Sequence, residues 1–213
     1  MKHRVSERTV SRRGLLFGLV GGVGCTSQVP PTKTASRSYP GKLRPPSAMG
    51  FDFQWRQKVT AHWGQKSRSF EAVLSVSDGV LQLVGLGPLG TPGFVLAYDG
   101  RQITFENRTG RELPFPPRYI LMDVQHVFFP WLGPGLRNGT RTQNFTRERV
   151  FERWSAGRLQ ERRFHRYDAA AQGEIRVSYR GWQRGAGAPE SAELDNGRFG
   201  YRLVIETLGG QRL

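Results

Sequence analysis

Few residues in this chain have the type and spacing that chemistry requires, and the first of them is a thiol. Cys25 is the only cysteine among 213 residues, and it closes a short apolar stretch, Leu15–Val23, that is broken by glycines. Basic residues come before that stretch: Lys2, Arg4, Arg8, Arg12 and Arg13. A basic start, a short apolar core and small residues before a cut site are typical of an export signal. The pattern predicts cleavage before Cys25 and acylation of its thiol.

The same stretch also bears on the route of export. Ser11–Leu16 resembles a twin-arginine motif, which is a bacterial signal, so both twin-arginine and general secretory export stay open. The apolar stretch is too short to span a bilayer, which needs about 20 apolar residues. We therefore expect residues 1–24 to be a signal peptide and palmitate or a similar acyl chain on Cys25 to hold the exported protein on a membrane.

A carboxylate and an imidazole form the next candidate pair. Asp123 and His126 are three residues apart, so a helix would bring them to one face. A carboxylate that orients an imidazole is half of a hydrolase triad, but no serine lies near the pair in sequence. An acyl-ester hydrolase is one hypothesis from this pair, and helix stabilisation is the other.

Other chemical signatures point to no cofactor and no metal. Gly85–Gly90 matches the GxGxxG pattern, but Pro88 and Pro92 forbid the helix that must follow in a dinucleotide site, so the segment predicts a loop. The remaining histidines lack the spacing of metal ligands: His3, His62 and His165. We expect a protein that is not an enzyme.

The first half of the chain shows the residue patterns of β-strands. From Phe51 onward apolar residues alternate with polar ones, and Gln57 is the one break on the apolar face. Phe70–Val76 repeats the alternation. Asp78-Gly79 and Asp99-Gly100 then predict two hairpins, because Asp-Gly tolerates the positive φ of tight turns.

The second half begins with the best helix candidate and then returns to strands. Pro116-Pro117 opens the helical pattern and Pro130 closes it, and the residues between them are unusually apolar. Gly133–Gly139 predicts a loop. Four strand patterns follow: Arg149–Trp154, Arg158–Tyr167, Glu174–Trp182 and Phe199–Thr207.

These elements predict a mainly β fold, a curled antiparallel sheet or half-barrel of about eight to ten strands with one apolar helix inserted. Residues 25–47 are rich in Pro, Ser and Thr and predict a flexible tether, so residues 48–213 form a single β-rich domain. The aromatic face of the sheet either encloses a cavity or fills a solid core. The sequence alone leaves both open.

The net charge of the chain indicates which kinds of partner it is suited to bind. The chain carries a formal net charge of +15, but export argues against nucleic acid and favours anionic lipid head groups. Arg147–Arg166 holds seven arginines and three glutamates with aromatic residues between them. This segment is either a basic interaction surface or two strands whose outer faces are charged for solubility.

Several runs resemble one family of uncharacterised bacterial lipoproteins, a domain of unknown function some of whose members are encoded beside aryl-polyene and fatty-acid-like synthesis genes. The runs are Phe53–Trp55, Phe70–Leu74, Leu83–Leu86, Pro116–Asp123 and Phe129–Trp131. That family is similar to the LolA/LolB lipoprotein carriers, which implies an open curled sheet, an apolar cavity and lipid or lipoprotein handling. Thr26 is not the aspartate that retains lipoproteins at the inner membrane, so the resemblance implies the periplasmic face of the outer membrane. The carriers have several helices where this chain predicts one.

Together these observations favour a lipid-anchored protein that binds or transfers an acyl-type hydrophobic ligand in the periplasm. The predicted ligand-binding residues are Phe53, Trp55, Phe70, Leu74, Leu83, Phe94, Ile120, Val124, Phe128 and Trp131. The alternative is an envelope scaffold lipoprotein that binds other envelope proteins through its arginine-rich face.

Overall fold

The computed structural model describes residues 39, 41–110, 116–167, 173–183 and 185–213. The predicted signal peptide, Cys25 and most of the predicted tether lie outside the described residues. Within the described part of the chain, no helix has the length and apolarity needed to cross a membrane.

The first half of the chain forms a five-stranded antiparallel meander. Its strands are β1 (Phe53–Trp63), β2 (Lys66–Ser77), β3 (Val80–Leu86), β4 (Pro92–Tyr98) and β5 (Ile103–Asn107). Both predicted hairpins are confirmed. Asp78 and Gly79 have φ values of 52° and 75°, as the turn between β2 and β3 requires. The Asp99 side chain accepts hydrogen bonds from the backbone N–H groups of Arg101 and Gln102, at 2.8 and 2.7 Å, in the loop between β4 and β5.

The predicted helix is also confirmed, and a second meander follows it. The helix, α1 (Pro117–Phe128), starts after Pro116 and ends before Pro130 because proline is accepted at a helix start and cannot continue a helix. The later strands are β6 (Gly139–Asn144), β7 (Glu148–Ser155), β8 (Arg158–Arg166), β9 (Ile175–Arg180), β10 (Ser191–Asn196) and β11 (Tyr201–Arg212).

Two of these strands, β6 and β10, were not predicted from the sequence. The side chains of β6 are almost all exposed, so this strand shows no apolar alternation. In β10 only Ala192 and Leu194 carry the inward apolar pattern, which is too short to be recognised.

All described strands form one antiparallel sheet in the order β5-β4-β3-β2-β1-β11-β10-β9-β8-β7-β6. Pairing of β1 with β11 joins the two meanders, and among the described residues β5 and β6 are the edges. Since α1 connects these two edge strands, it crosses one face of the sheet. The prediction of a mainly β, unclosed antiparallel sheet with one helix is therefore confirmed.

The helix packs into a core on each side. Leu121, Val124 and Phe129 belong to an apolar cluster with β1–β4, whereas Met122 and Val127 belong to a cluster with β7–β11. Most of α1 is consequently buried, including its polar residues Asp123, Gln125 and His126.

Part of the segment predicted as a tether packs against α1. Tyr39 is 3% exposed, and the Gln125 amide exchanges two hydrogen bonds of 2.8 Å with the backbone of Arg44. A 3-10 turn, Pro46–Met49, then leads into β1. The packed chain therefore begins before residue 48. The buried Tyr39 ring and the hydrogen bonds of the Gln125 amide hold this segment, although its composition is polar and rich in proline.

Candidate ligand-binding cavity

A cavity of about 260 Å³ lies between α1 and the half of the sheet formed by β1–β4 and β11. Its walls are mostly apolar. The lining residues are Gln57, Val59, Ala61, Trp63, Arg68, Phe70, Leu83, Gly85, Leu86, Gly87, Gly93, Phe94, Thr109, Ile120, Asp123, Val124, Phe128, Leu203 and Ile205. An apolar hollow with few polar groups is the usual form of a small-molecule site.

The cavity has a closed end and an open end. Gln57, at the inner end, is 2% exposed, and the next inward residue of β1, Trp55, is fully buried. Trp63 and Arg68, at the outer end, are half-buried and exposed, respectively. The six-residue step from Gln57 to Trp63 extends about 20 Å along the strand. An elongated molecule would therefore lie along β1.

A glycine makes room for one wall of the cavity. A Cβ atom on Gly85 would lie 2.0 Å from Cε1 of Phe94, so the Phe94 ring packs directly over the backbone of β3. Gly85 belongs to the segment that formally matches a dinucleotide motif. The structure continues this segment as the end of β3 and a 3-10 turn, Pro88–Gly90, without the helix that such a motif needs.

A second cavity of about 580 Å³ lies at the C-terminal end of α1, against β1 and β7–β9. Its walls mix aromatic rings with the charged side chains of Arg158, Arg162 and Arg212. Phe128 lines both cavities and so stands between them, and Trp55 lines the second one.

The structure divides the ten predicted ligand-binding residues into three groups. Six line the first cavity: Phe70, Leu83, Phe94, Ile120, Val124 and Phe128. Trp55 lines the second. Phe53 and Leu74 are completely buried in the packed core and line neither cavity. Trp131 also lines neither, and it packs with ring centroids 5.5 Å from His126 and 4.9 Å from Phe164.

Five wall residues were missed although a signal for them exists. Val59, Ala61 and Trp63 lie on the apolar face of the alternating pattern of β1, and Leu203 and Ile205 lie on that of β11. The pairing of β1 with β11 cannot be predicted from these local patterns. It sets Val59 opposite Ile205 and Ala61 opposite Leu203.

One polar network touches the cavity, and Asp123 is its centre. Tyr39 donates a 2.5 Å hydrogen bond to Asp123 Oδ1, and Tyr201 donates a short one to Oδ2. Asn196 Nδ2 donates to the hydroxyl oxygens of both tyrosines, at 3.1 and 2.9 Å. Tyr39 Oη also lies 3.1 Å from Nδ1 of His126. The network thus ties α1 to the N-terminal segment and to β10 and β11.

Burial shifts the protonation of this network. Burial raises the pKa of Asp123 to about 7, although the hydrogen bonds from Tyr201, Tyr39 and Asn196 act in the opposite direction. Burial, together with the positive charges of Arg198 and Arg162, lowers the pKa of His126 well below its usual value. At neutral pH His126 is therefore a neutral ring in the core.

These contacts favour the structural interpretation of Asp123 and His126. The Tyr39 hydroxyl lies between them, and His126 packs against the rings of Tyr39, Trp131 and Phe164. The Nδ1 atom faces a tyrosine rather than a serine or cysteine nucleophile. The expectation that the protein is not an enzyme stays a prediction.

Replacing Asp123 by asparagine should change how stability depends on pH. The carboxyl group has a pKa of about 7 in the folded state and about 4 in the unfolded chain, so between these values only the folded state holds the proton. The stability from neutral Asp123 is therefore complete below about pH 4 and is lost as the pH rises towards 7. We expect the free energy of unfolding of Asp123→Asn, minus that of the wild type, to rise by about 1.4 kcal/mol per pH unit over this window.

Urea unfolding of both proteins at about pH 4.5, 5.5 and 6.5 measures this difference. His126 is present in both, so its own titration cancels to first order. A difference that stays constant with pH would show that the carboxyl group is not shifted.

The arginine-rich segment forms β7 and β8 and has one inward-facing ion pair. Arg162 and Glu152 are cross-strand neighbours whose side chains are 4% and 1% exposed, with Arg162 Nη2 2.8 Å from Glu152 Oε1. Arg162 also donates a 2.9 Å hydrogen bond to the carbonyl of His126 near the end of α1. The pair therefore holds the helix on the sheet.

The other arginines of this segment behave as a charged strand surface. Arg153, Arg163 and the neighbouring Arg176 of β9 all contact Glu161, at 3.1–3.4 Å. The arginine side chains of these pairs are 35–55% exposed, and partly exposed pairs of this kind contribute little stability and keep the outer face soluble. In the described residues there is no group of three or more His, Cys, Asp or Glu able to hold a metal ion.

Residues 54–209 match the model of a family described as "Protein of unknown function (DUF3261)", and the chain belongs to that family. This confirms the family resemblance seen in the sequence. No curated protein matches the chain.

Three solved structures align with most of this chain. A LolA superfamily protein of Nitrosomonas europaea aligns with a TM-score of 0.45 and 11% identity, covering 79% of this chain and 88% of that one. A domain assigned to outer membrane lipoprotein sorting in Vibrio parahaemolyticus aligns with a TM-score of 0.41 and 9% identity, covering 76% of this chain and 85% of that one. A DUF1329 family protein of Desulfovibrio piger aligns with a TM-score of 0.40 and 12% identity, covering 78% of this chain and 90% of that one.

Proposed function

We propose that this protein is a lipid-anchored protein of the bacterial outer membrane that binds or transfers an acyl-type hydrophobic ligand on the periplasmic side. The observation that supports this most is the elongated apolar cavity between α1 and β1, closed at Gln57 and open at Arg68. Each CH₂ group that enters such a cavity contributes about 0.8 kcal/mol, so an acyl chain of moderate length would bind firmly.

The position of α1 also supports a carrier of this kind. One helix covers the cavity and connects the two edges of an unclosed sheet, so movement of this one element would widen the open end without rearranging the sheet. Side-chain hydrogen bonds hold α1 in place: Tyr39 bonds to Asp123, Gln125 bonds to the backbone of Arg44, and Arg162 bonds to the carbonyl of His126.

Native mass spectrometry of the protein exported by its host tests ligand binding directly. We expect a bound mass in the range of an acyl lipid that leaves on denaturation, and saturable binding of a fatty acid after its removal. Absence of both would exclude the proposed ligand class.

Replacing Cys25 by serine tests the anchor separately. If the Cys25 thiol carries the lipid, Cys25→Ser should abolish incorporation of labelled palmitate and move the exported protein from the membrane fraction to the soluble periplasmic fraction. Ser27→Ala, two residues further along, serves as the matched control and should stay in the membrane fraction. Labelled Cys25→Ser protein would contradict the assignment of the acylated residue.

A further inference from the structure

Gln57 is the polar residue that interrupts the apolar face of β1, and the structure buries it in the wall of the first cavity. It is 2% exposed and pairs with Ala72 on one side and Thr207 on the other. Its side-chain Nε2 atom is buried and has no hydrogen-bond partner among the described residues.

Such a group is unfavourable in a folded protein unless something else satisfies it. Buried polar atoms nearly always have a partner, and an unpaired N–H in an apolar wall keeps the cost of leaving water. A leucine or methionine here would continue the apolar face at no such cost. The amide is therefore better explained by a bound molecule than by the stability of the empty protein.

The type of the unsatisfied atom sets the chemistry of that molecule. The Nε2 group of an amide only donates, so it requires an acceptor oxygen. Thr207, opposite Gln57 on β11, is likewise buried, and its Oγ1 atom also has no partner among the described residues. The Asp123 carboxyl, elsewhere in the cavity wall, already accepts from Tyr39 and Tyr201 with both oxygens.

The charges around the cavity narrow the choice further. Arg68, a cation in the cavity wall, lies at the exposed outer end, so a carboxylate brought to Gln57 would be buried without a counter-charge. A neutral oxygen, as in a ketone, an ester or a hydroxyl group, avoids that cost.

We propose that Gln57 Nε2 donates a hydrogen bond to a neutral acceptor oxygen at the inner end of the bound ligand. The cavity then prefers an amphiphile with an oxygen at its innermost end over a plain hydrocarbon chain. This inference rests on the proposed binding of a hydrophobic ligand and adds to it the residue that sets selectivity.

The experiment compares two ligands of equal chain length, decan-2-one and 1-decene, as competitors for 1-anilinonaphthalene-8-sulfonate bound to the exported full chain carrying Cys25→Ser, which needs no detergent. Gln57→Met keeps the length of the side chain and removes the donor. We expect the variant to bind decan-2-one about three- to tenfold more weakly than the parent protein, the range that one hydrogen bond supplies. Binding of 1-decene should stay the same or become tighter.

Gln54→Met is the matched control, because Gln54 lies on the exposed face of the same strand and should leave both affinities unchanged. Equal effects of Gln57→Met on the two ligands, or no effect on either, would overturn the inference. So would a large fall in its melting temperature, since this would reveal a structural partner for the amide. If neither ligand displaces the probe from the parent protein, the proposed function itself fails.

Discussion

Replacing Ala61 by phenylalanine should weaken ligand binding more than about a hundredfold and leave the protein folded. Ala61 is a small, buried residue in the middle of the β1 wall, and its paired neighbours in the sheet are Arg68 and Leu203, which also line the cavity. A benzyl group at this position would project into the hollow between the closed and open ends. If it displaces only four CH₂ groups of an acyl chain, binding weakens by about 3 kcal/mol, more than a hundredfold in Kd.

Fatty-acid binding by Ala61→Phe, together with a thermal unfolding curve, measures this effect. Thr60→Phe is the matched control, because successive residues of a strand point to opposite faces. It adds the same ring to the outer face of the sheet and should bind like the wild type. If Ala61→Phe binds with unchanged affinity, the ligand does not occupy this cavity.

The second large effect is on stability and comes from Glu152. Its two carboxylate oxygens accept from Arg162 and from the Trp154 indole, at 2.9 and 3.1 Å, in the interior between β7, β8 and α1. Glu152→Leu would leave the Arg162 guanidinium buried beside an apolar side chain. Breaking one side of a buried pair costs about 3–5 kcal/mol, because the remaining charge has lost its partner.

Urea unfolding at neutral pH tests this value. The exposed pair Arg56–Glu71 is the control, and Glu71→Leu should cost less than about 1 kcal/mol. The double variant Glu152→Leu with Arg162→Met should cost less than the sum of the two single variants, since it removes both charges. Similar small losses for Glu152→Leu and Glu71→Leu would show that the inner pair contributes no more than a surface pair.

Local patterns were sufficient to predict much of the fold. The alternation in β1 identifies Val59 and Ala61 as inward residues, the Asp78-Gly79 dipeptide fixes a hairpin, and prolines delimit α1. Each of these signals lies within a few residues of the chain, where backbone preferences and the two-residue period of a strand act directly.

The features that escaped prediction depend on contacts between distant segments. The pairing of β1 with β11 brings Leu203 and Ile205 into the cavity wall, although they lie near the opposite end of the chain. Tyr39 is buried, with its hydroxyl group donating to Asp123 and lying beside His126. Nothing in the polar segment around Tyr39 indicates these contacts.

The inward charge of Glu152 and Arg162 was equally hard to predict. Both lie in a segment whose composition is that of a solvated strand surface, and only their mutual pairing makes burial tolerable. The same limit applies to the ligand-binding residues. Phe53 and Leu74 face the same side of the sheet as Phe70, but they lie in the tightly packed part of the core. The sequence does not show where the packed core ends and the cavity begins.

Fluorescence quenching with a dibromo fatty acid shows whether an acyl chain occupies the hollow along β1. Bromine quenches tryptophan on contact, and Trp63 lines this cavity whereas Trp182 lines the second one. We predict saturable quenching that is largely lost in Trp63→Phe and retained in Trp182→Phe. Quenching that does not saturate, or that is unchanged in Trp63→Phe, would contradict an acyl-binding site between α1 and β1.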